Sequence, residues 1–317
     1  MTVLTNKISI YRNLSDFKFS NMCTAKEKME IKDRVINAFS LLNFDFEFFP
    51  ALFIENKRVE DFIHDNSLYM SYDDEKLFKY KYASALLSKS RNMAVFINTD
   101  EHLMIEKYSS GFEKSYNELK RIVKEISKHL QFSYSDIFGY LTSDIYKTGE
   151  AFFLESEIYI PSIIMANVNK DIVSILKNDR YNDIQITNIP YNSKYSAIYN
   201  IKKHIINDPQ TEIKEFENFL DEVCVREKYF LDVSLNNKSL KKHLQDQVIR
   251  LKNNGEIINN VFYDMNLIYL CKAFGIVDGD IDMFKLLKNA LEYNDNGNNE
   301  SLNYINELVS NLLIRGE

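Results

Sequence analysis

GYLTSDIYKTGEAFFLESEIYIPSI, residues 139–163, sets two glycines around a polar turn and then runs into the alternation of Ile158 and Ile160. Gly139 and Gly149 mark turns, and the alternation predicts a strand. Such a frame suits a loop that presents backbone and cationic groups to phosphate. Its cations are missing: the stretch holds one lysine, Lys147, and no arginine.

Upstream of this stretch, Ile8 and Ile10 alternate with polar neighbours in NKISIYR, and the apolar run MAVFIN (93–98) precedes the alternating HLMIEKY (102–108). These patterns predict strands, the last two paired around an acidic turn. Phe112, Tyr116, Leu119, Ile122, Val123, Ile126 and Leu130 recur at helical spacing and predict one long amphipathic helix. Downstream, DIQITNI and SAIYNIKKHI are further strand candidates. The period changes after the turn formers Asn207, Asp208 and Pro209: Ile213, Phe216, Phe219, Leu220, Val223 and Phe230 share a helical stripe. Helical patterns follow in 239–253, 256–274, 281–293 and 300–315, with a short polar loop at 294–299 and no internal repeat. We therefore divide the chain into 1–208, mixed in structure, and 209–317, helical.

A chain of 317 residues buries a large core and exceeds the size at which single cores stop growing. Its hydrophobic fraction of 45% is that of a folded protein. No apolar run approaches the ~18 residues of a membrane span, and MTVLTNKISIYRNL carries no secretory pattern, so the expected location is the cytoplasm. Cys23, Cys224 and Cys271 are too scattered for a disulfide framework or a metal site and are expected to be small buried hydrophobes. A net charge of −7, lysine well ahead of arginine and no dense basic block argue against nucleic acid as a partner. The acid excess favours a protein or small-molecule partner.

VLTNKISIYRNL (3–14), LLSKSRNMAVFINTDEHLMIE (86–106) and GYLTSDIYKTGEAFFLESEIYIPSI (139–163) resemble, in order and spacing, three signature blocks of the guanidino kinases, which move a phosphoryl group from ATP to a guanidinium nitrogen. LQDQVIRLKNNGEIINN and IYLCKAFGIVDG make the chain most similar to the bacterial McsB-type protein-arginine kinases. The resemblance implies an α+β fold: a guanidino-kinase-like catalytic domain with a mainly antiparallel sheet flanked by helices, then a carboxy-terminal α-helical domain.

Phosphoryl transfer asks a protein for positioning and for cations around the phosphates, a role that suits the arginine fork. Carried over position by position, the resemblance places Lys7 and Ser9 where the family has two phosphate-directed arginines. Asn98, Thr99, Asp100, Glu101 and His102 stand for Asn-Glu-Glu-Asp-His, with Asp100 at the catalytic glutamate and Met104 at a further arginine. Asp144 replaces the reactive cysteine, Gly149, Glu150 and Ala151 replace the Gly-Thr-Gly loop, and Phe153 replaces the next arginine. Tyr159, before Ile160 and Pro161, replaces a histidine, and ITNIPYNSKYS (186–196) lacks the arginine, glycines and carboxylate of the last family segment. The tail NNESLNYINELVSNLLIR lacks the family's phosphoarginine-reading arginines until Arg315.

A charge-assisted hydrogen bond is worth roughly 1.5–3 kcal/mol, and one transition-state arginine about 10³–10⁵ in rate. Losing several together with a catalytic acid exceeds what Lys7 alone can restore, and Asp144 and Glu150 add repulsion. No catalytic residue is expected, with Asp100 and Glu101 as vestigial candidates and Lys7 as a vestigial nucleotide contact. The plainer readings are solvated acids at Asp100 and Glu101, a surface lysine at Lys7 and a structural His102. Phe152 and Phe153 then become core or a plug, and Arg12 a structural pairing group.

The leading functional reading is a pseudokinase that regulates or scaffolds by protein binding. Implied partners are an active McsB-type kinase, its activator subunit or the Clp machinery, in a homo- or heterodimer. An enzyme with residual or altered protein-arginine kinase activity is the alternative, and a spore-coat-like structural protein a further one. No cofactor or metal is expected, and Mg-ATP enters only if activity remains.

Overall fold

The structure is a computed structural model, and the residues described are 2–42, 44–52, 57–67, 77, 79–167, 170–177, 179–190, 194–257 and 260–315. The alternation around Ile8 and Ile10 forms β1 (Thr2–Arg12). β2 (Phe46–Phe49), β3 (Ser84–Ser88), β4 (Met93–Ile97) and β5 (Leu103–Tyr108) follow. After them come the short β6 (Tyr134–Ser135) and β7 (Gly139–Tyr140), then β8 (Phe152–Tyr159), β9 (Gln185–Ile189) and β10 (Ile198–Ile205). Eight strands are hydrogen-bonded in the order β2-β3-β4-β5-β1-β8-β10-β9. The pairs from β2 through β5 and from β5 to β1 are antiparallel, as the family resemblance implies.

Two of the longer helices among the described residues escaped the periodicity reading. α1 (Ala25–Ser40) begins at a capping box in which Thr24 and Glu27 satisfy each other's exposed backbone donors. The sequence Thr-Ala-Lys-Glu carries that signature openly. α2 (Lys57–Asn66) buries Val59, Phe62 and Ile63 on one stripe. α3 (Phe112–Ile126) is the predicted amphipathic helix, with Phe112, Tyr116, Leu119, Ile122 and Ile126 inward.

The chain groups into two compact units. The first holds Thr5–Ser156 and Lys202–Glu217; the second holds the residues up to Leu4, Glu157–Ile201 and Asn218–Glu317. Local structure changes at Pro209, where α6 (Pro209–Leu235) starts, but the first turns of α6 group with the strands and not with the later helices.

In the second unit, the short α4 (Pro161–Ala166) and α5 (Ile172–Leu176) precede α7 (Lys238–Asn254), α8 (Val261–Ala273), α9 (Met283–Asn296) and α10 (Asn299–Ser310). The buried Glu227 carboxylate accepts the backbone N–H groups of Ser162 and Ile163 at 2.8 and 2.9 Å, closing the start of α4. Burial raises its pKa. Of the cysteines only Cys271 is buried; Cys23 and Cys224 are half-exposed, which corrects the expectation for those two. Cys271 lies on the inner face of α8, and burial lifts its thiol to about 12.

Candidate functional site

Within the first unit one face of the sheet gathers the positions that the resemblance assigns to phosphate. Lys7, Ser9 and Tyr11 of β1 point to that face because side chains alternate along a strand. Across the antiparallel register they meet Tyr108, Glu106 and Met104 of β5. The Lys7 ammonium is not surface: its side chain is 10% exposed, and it lies 3.2 Å from Glu106 and 3.6 Å from Glu155 of β8. This corrects the reading of Lys7 as an ordinary exposed lysine. Glu106 also accepts from Ser9 Oγ at 3.4 Å and from the Tyr108 hydroxyl at 2.7 Å. The cation in the phosphate position is thus held by two carboxylates of its own chain.

Beside this polar cluster the face is apolar. Met104 packs into a cluster with Tyr11, Tyr108, Ala151 and the buried stripe of α2, and Phe153 borders it. The Phe62 ring meets Tyr108 edge-on at 5.9 Å, and Phe153 meets Tyr11 at 5.5 Å. On its other side Phe153 stacks flat on His204 of β10 at 4.5 Å, with the Lys202 ammonium 5.0 Å from the Phe153 ring. Burial lowers the pKa of His204, whose Nε2 has no hydrogen-bond partner. Lys202 and His204 were missed by the sequence reading, although the alternation in YNIKKHI puts both on one strand face.

The acid pair separates into two roles. Glu101 is fully buried, and its carboxylate accepts from the Ser143 N–H at 3.0 Å, from Ser143 Oγ at 2.6 Å and from Asn13 Nδ2 at 2.5 Å. That corrects its reading as a solvated acid. Asp100 fits that reading better: its side chain is 40% exposed, accepts from the Tyr80 hydroxyl and lies 3.8 Å from Lys147. Asn13 completes the lattice by accepting the His102 N–H at 2.9 Å and donating to the Leu141 carbonyl at 3.2 Å.

His102 is structural. Its buried Nδ1 accepts the Leu14 N–H at 3.0 Å, and its Nε2 lies 3.5 Å from the Cys23 sulfur. Burial drops its pKa to about 4, so the folded state holds it neutral while the unfolded chain takes up a proton below about 6.5. Stability is therefore full above pH ~6.5 and falls as pH drops toward 4, by about 3 kcal/mol at the low end. Unfolding free energies measured between pH 4 and 6.5 are expected to slope less steeply in His102→Gln than in the unmodified chain. Equal slopes would remove His102 as the cause.

Arg12 is also structural: its guanidinium lies 3.5 Å from the centre of the Tyr140 ring and donates to the carbonyls of Tyr11 at 2.7 Å and Glu150 at 3.0 Å. Burial pulls its pKa down to about 10. The turn between β7 and β8 keeps its shape through backbone contacts. Gly139 has φ +75°, and a Cβ there would lie 2.6 Å from the Gly149 carbonyl oxygen, so only glycine allows the close Tyr140–Gly149 pairing. Asp144 caps the 3-10 turn Ile145–Lys147 by accepting the Tyr146 N–H at 3.0 Å.

Tyr159 lies in the second unit, buried, and donates its hydroxyl to Asn266 Oδ1 at 2.8 Å. Of the segment 186–196, residues 191–193 lie outside the described residues. Among the described residues no cluster of three metal-ligating side chains occurs, and no helix is long and apolar enough to cross a membrane.

The model of the ATP:guanido phosphotransferase C-terminal catalytic domain matches residues 16–204, more than half of the chain. The chain belongs to the ATP:guanido phosphotransferase family. Its similar relatives include a protein-arginine kinase of Clostridium novyi (strain NT), 26% identical over 55% of this chain and 50% of that protein. A protein-arginine kinase of Clostridium perfringens (strain 13 / Type A) is 23% identical over 79% of this chain and 72% of its own length. The match thus spans half of the first relative and more of the second. The fold is that of lombricine kinase, with TM-score 0.57 and 14% identity over 71% of this chain and 66% of the other. It is shared with the duplicated taurocyamine kinase of Schistosoma mansoni, with TM-score 0.59 and 16% identity over 92% of this chain and 42% of the other. Members of the family use Mg-ATP, but the face built by Lys7, Ser9, Met104 and Phe153 does not fit a polyphosphate. Its central ammonium is held by Glu106 and Glu155, and an apolar cluster edged by Phe153 and Lys202 lies beside it.

Proposed function

We propose that this chain is a catalytically inactive relative of the protein-arginine kinases, a pseudokinase that regulates or scaffolds by binding other proteins. The observation that carries the reading is the Lys7 ammonium held between Glu106 and Glu155 beside an apolar cluster of Tyr11, Met104 and Phe62. To meet a phosphate, Lys7 would have to give up its contacts with Glu106 and Glu155 on a largely buried face, which costs several kcal/mol. Glu101 is likewise committed to Ser143 and Asn13, so Asp100 has no second free acid in the turn with which to form a catalytic pair. Protein partners consistent with this reading are an active protein-arginine kinase, its activator or the Clp machinery, in a cytoplasmic, bacterial, dimeric setting of protein quality control.

A residual ATP-dependent protein-arginine kinase is the second reading. It is favoured by the half-exposed Asp100 carboxylate and by Lys202, which adds a cation beside Phe153 on the same face. The test is incubation with γ-labelled Mg-ATP and an arginine-rich acceptor protein, read as acid-labile phosphoarginine. The pseudokinase reading predicts none above a control without protein. Label that disappears in Asp100→Ala or Lys202→Ala would replace it with the second reading.

A further inference from the structure

The turn that the family resemblance singles out carries an unusual surface. Tyr134, Ile137 and Phe138 of the β6–β7 hairpin are 58%, 84% and 63% exposed, and Ile145 and Tyr146 of the adjoining 3-10 turn are 79% and 84% exposed. Five large apolar side chains therefore face solvent within thirteen residues. Scattered exposed hydrophobes need no explanation, but a cluster on one small substructure marks an interaction site.

The mounting of these side chains is firm. The N–H groups of Ile137 and Phe138 donate to Ser135 Oγ at 3.3 and 3.4 Å. Thr142 Oγ1 donates to the Asp144 carbonyl at 2.7 Å and lies 3.0 Å from Thr148 Oγ1. Tyr140 and Gly149 exchange both backbone hydrogen bonds, at 2.7 and 3.2 Å, joining the hairpin to the turn. Ser143, bound to the buried Glu101, anchors the turn at its root. A patch held this way cannot fold its apolar groups inward, and it meets a partner with little ordering cost.

Charge indicates what covers it. Residues 134–150 contain Asp136, Asp144 and Glu150 against one cation, Lys147. The Lys147 ammonium is turned inward, 4.8 Å from the Tyr11 ring and 3.8 Å from Asp100. The tip therefore offers apolar area with an acidic rim of Asp136 and Asp144, neither of them in an ion pair among the described residues, while Glu150 lies beside Arg12.

We infer that the 134–146 tip is a docking surface for a cationic amphipathic segment of a partner protein, its apolar face set on Ile137, Phe138 and Tyr146 and its basic groups beside Asp136 and Asp144. This deepens the protein-binding function proposed above and rests on it. Recognition is by charge and apolar area, so lysine serves as well as arginine and no guanidinium chemistry is involved.

The experiment titrates the full chain into a fluorescein-labelled 18-residue amphipathic helix of leucine and lysine, read by anisotropy, beside its leucine–glutamate counterpart. The expected result is saturable binding of the lysine peptide only, weakened by added salt and by at least about tenfold in Ile137→Asn/Tyr146→Asn. Asp136→Lys/Asp144→Lys is expected to weaken it similarly and to admit the glutamate peptide. Circular dichroism melting of Ile137→Asn/Tyr146→Asn should match the unmodified chain, because both side chains are exposed, whereas Asp136→Lys/Asp144→Lys also removes the Asp144 cap of the 3-10 turn and should melt a few degrees lower.

No binding of the lysine peptide, or equal binding by the Ile137→Asn/Tyr146→Asn variant, would overturn the inference. So would self-association that the variant abolishes, which would assign the tip to a second copy, or variant-sensitive binding to phosphatidylglycerol vesicles, which would assign it to a membrane. Failure here leaves the inactive-kinase reading standing, whereas phosphoarginine formation in the preceding assay overturns that reading without touching the tip.

Discussion

Glu101→Ala is expected to lower the unfolding free energy by about 3–5 kcal/mol, the cost of taking the acceptor from several donors around a buried side chain at about 1–3 kcal/mol each. The substitution leaves the Ser143 N–H, the Ser143 hydroxyl and the buried Asn13 amide without their common acceptor. At roughly 2–4 °C per kcal/mol for a protein of this size, the melting midpoint should fall on the order of 10 °C. Glu101→Gln should recover only part of the loss, because its amide would turn a donor toward donors. Asp100→Ala, at the neighbouring half-exposed acid, should cost about 1 kcal/mol or less. Melting curves of the three variants decide the matter: equal, small effects at both acids would mean that Glu101 is solvated after all.

Lys7→Met is the second large effect, about 3 kcal/mol. Methionine fills the volume but strands Glu106 and Glu155 together without their cation. If the loss comes from those stranded charges, Lys7→Met/Glu106→Gln should regain most of it, giving a coupling of about 2 kcal/mol in a double-mutant cycle by urea unfolding. Additive losses would show that Lys7 is not held by Glu106. A lysine kept for nucleotide would behave oppositely, being nearly neutral for stability in the absence of ligand.

Much of the fold can be read in the sequence because it is local. β1, β4, β5 and α3 follow from alternation or helical spacing, and α6 begins at the turn formers around Pro209. α1 was equally legible through the Thr24–Glu27 capping box, a signal that a search for apolar periodicity passes over. The state of the site was legible only in part. The resemblance names the positions that lack arginine, but the fate of Lys7 depends on Glu106 and Glu155, and that of Ser9 on Glu106, 97 residues away. Glu101 reads as a polar turn residue until the 141–143 segment folds back to give it Ser143. α2 covers Met104 and Tyr108 through contacts that no local pattern announces.

Thermal unfolding of the chain with and without millimolar Mg-ATP reads out whether the face around Lys7 is closed to phosphate. A ligand that binds only the folded state stabilises it by about 2.7 kcal/mol at 100 times its dissociation constant, enough to raise the midpoint by several degrees. A closed face gives superimposable curves. A clear rise with Mg-ATP would show that Lys7, Lys202 or another cation still receives phosphate, and would contradict it.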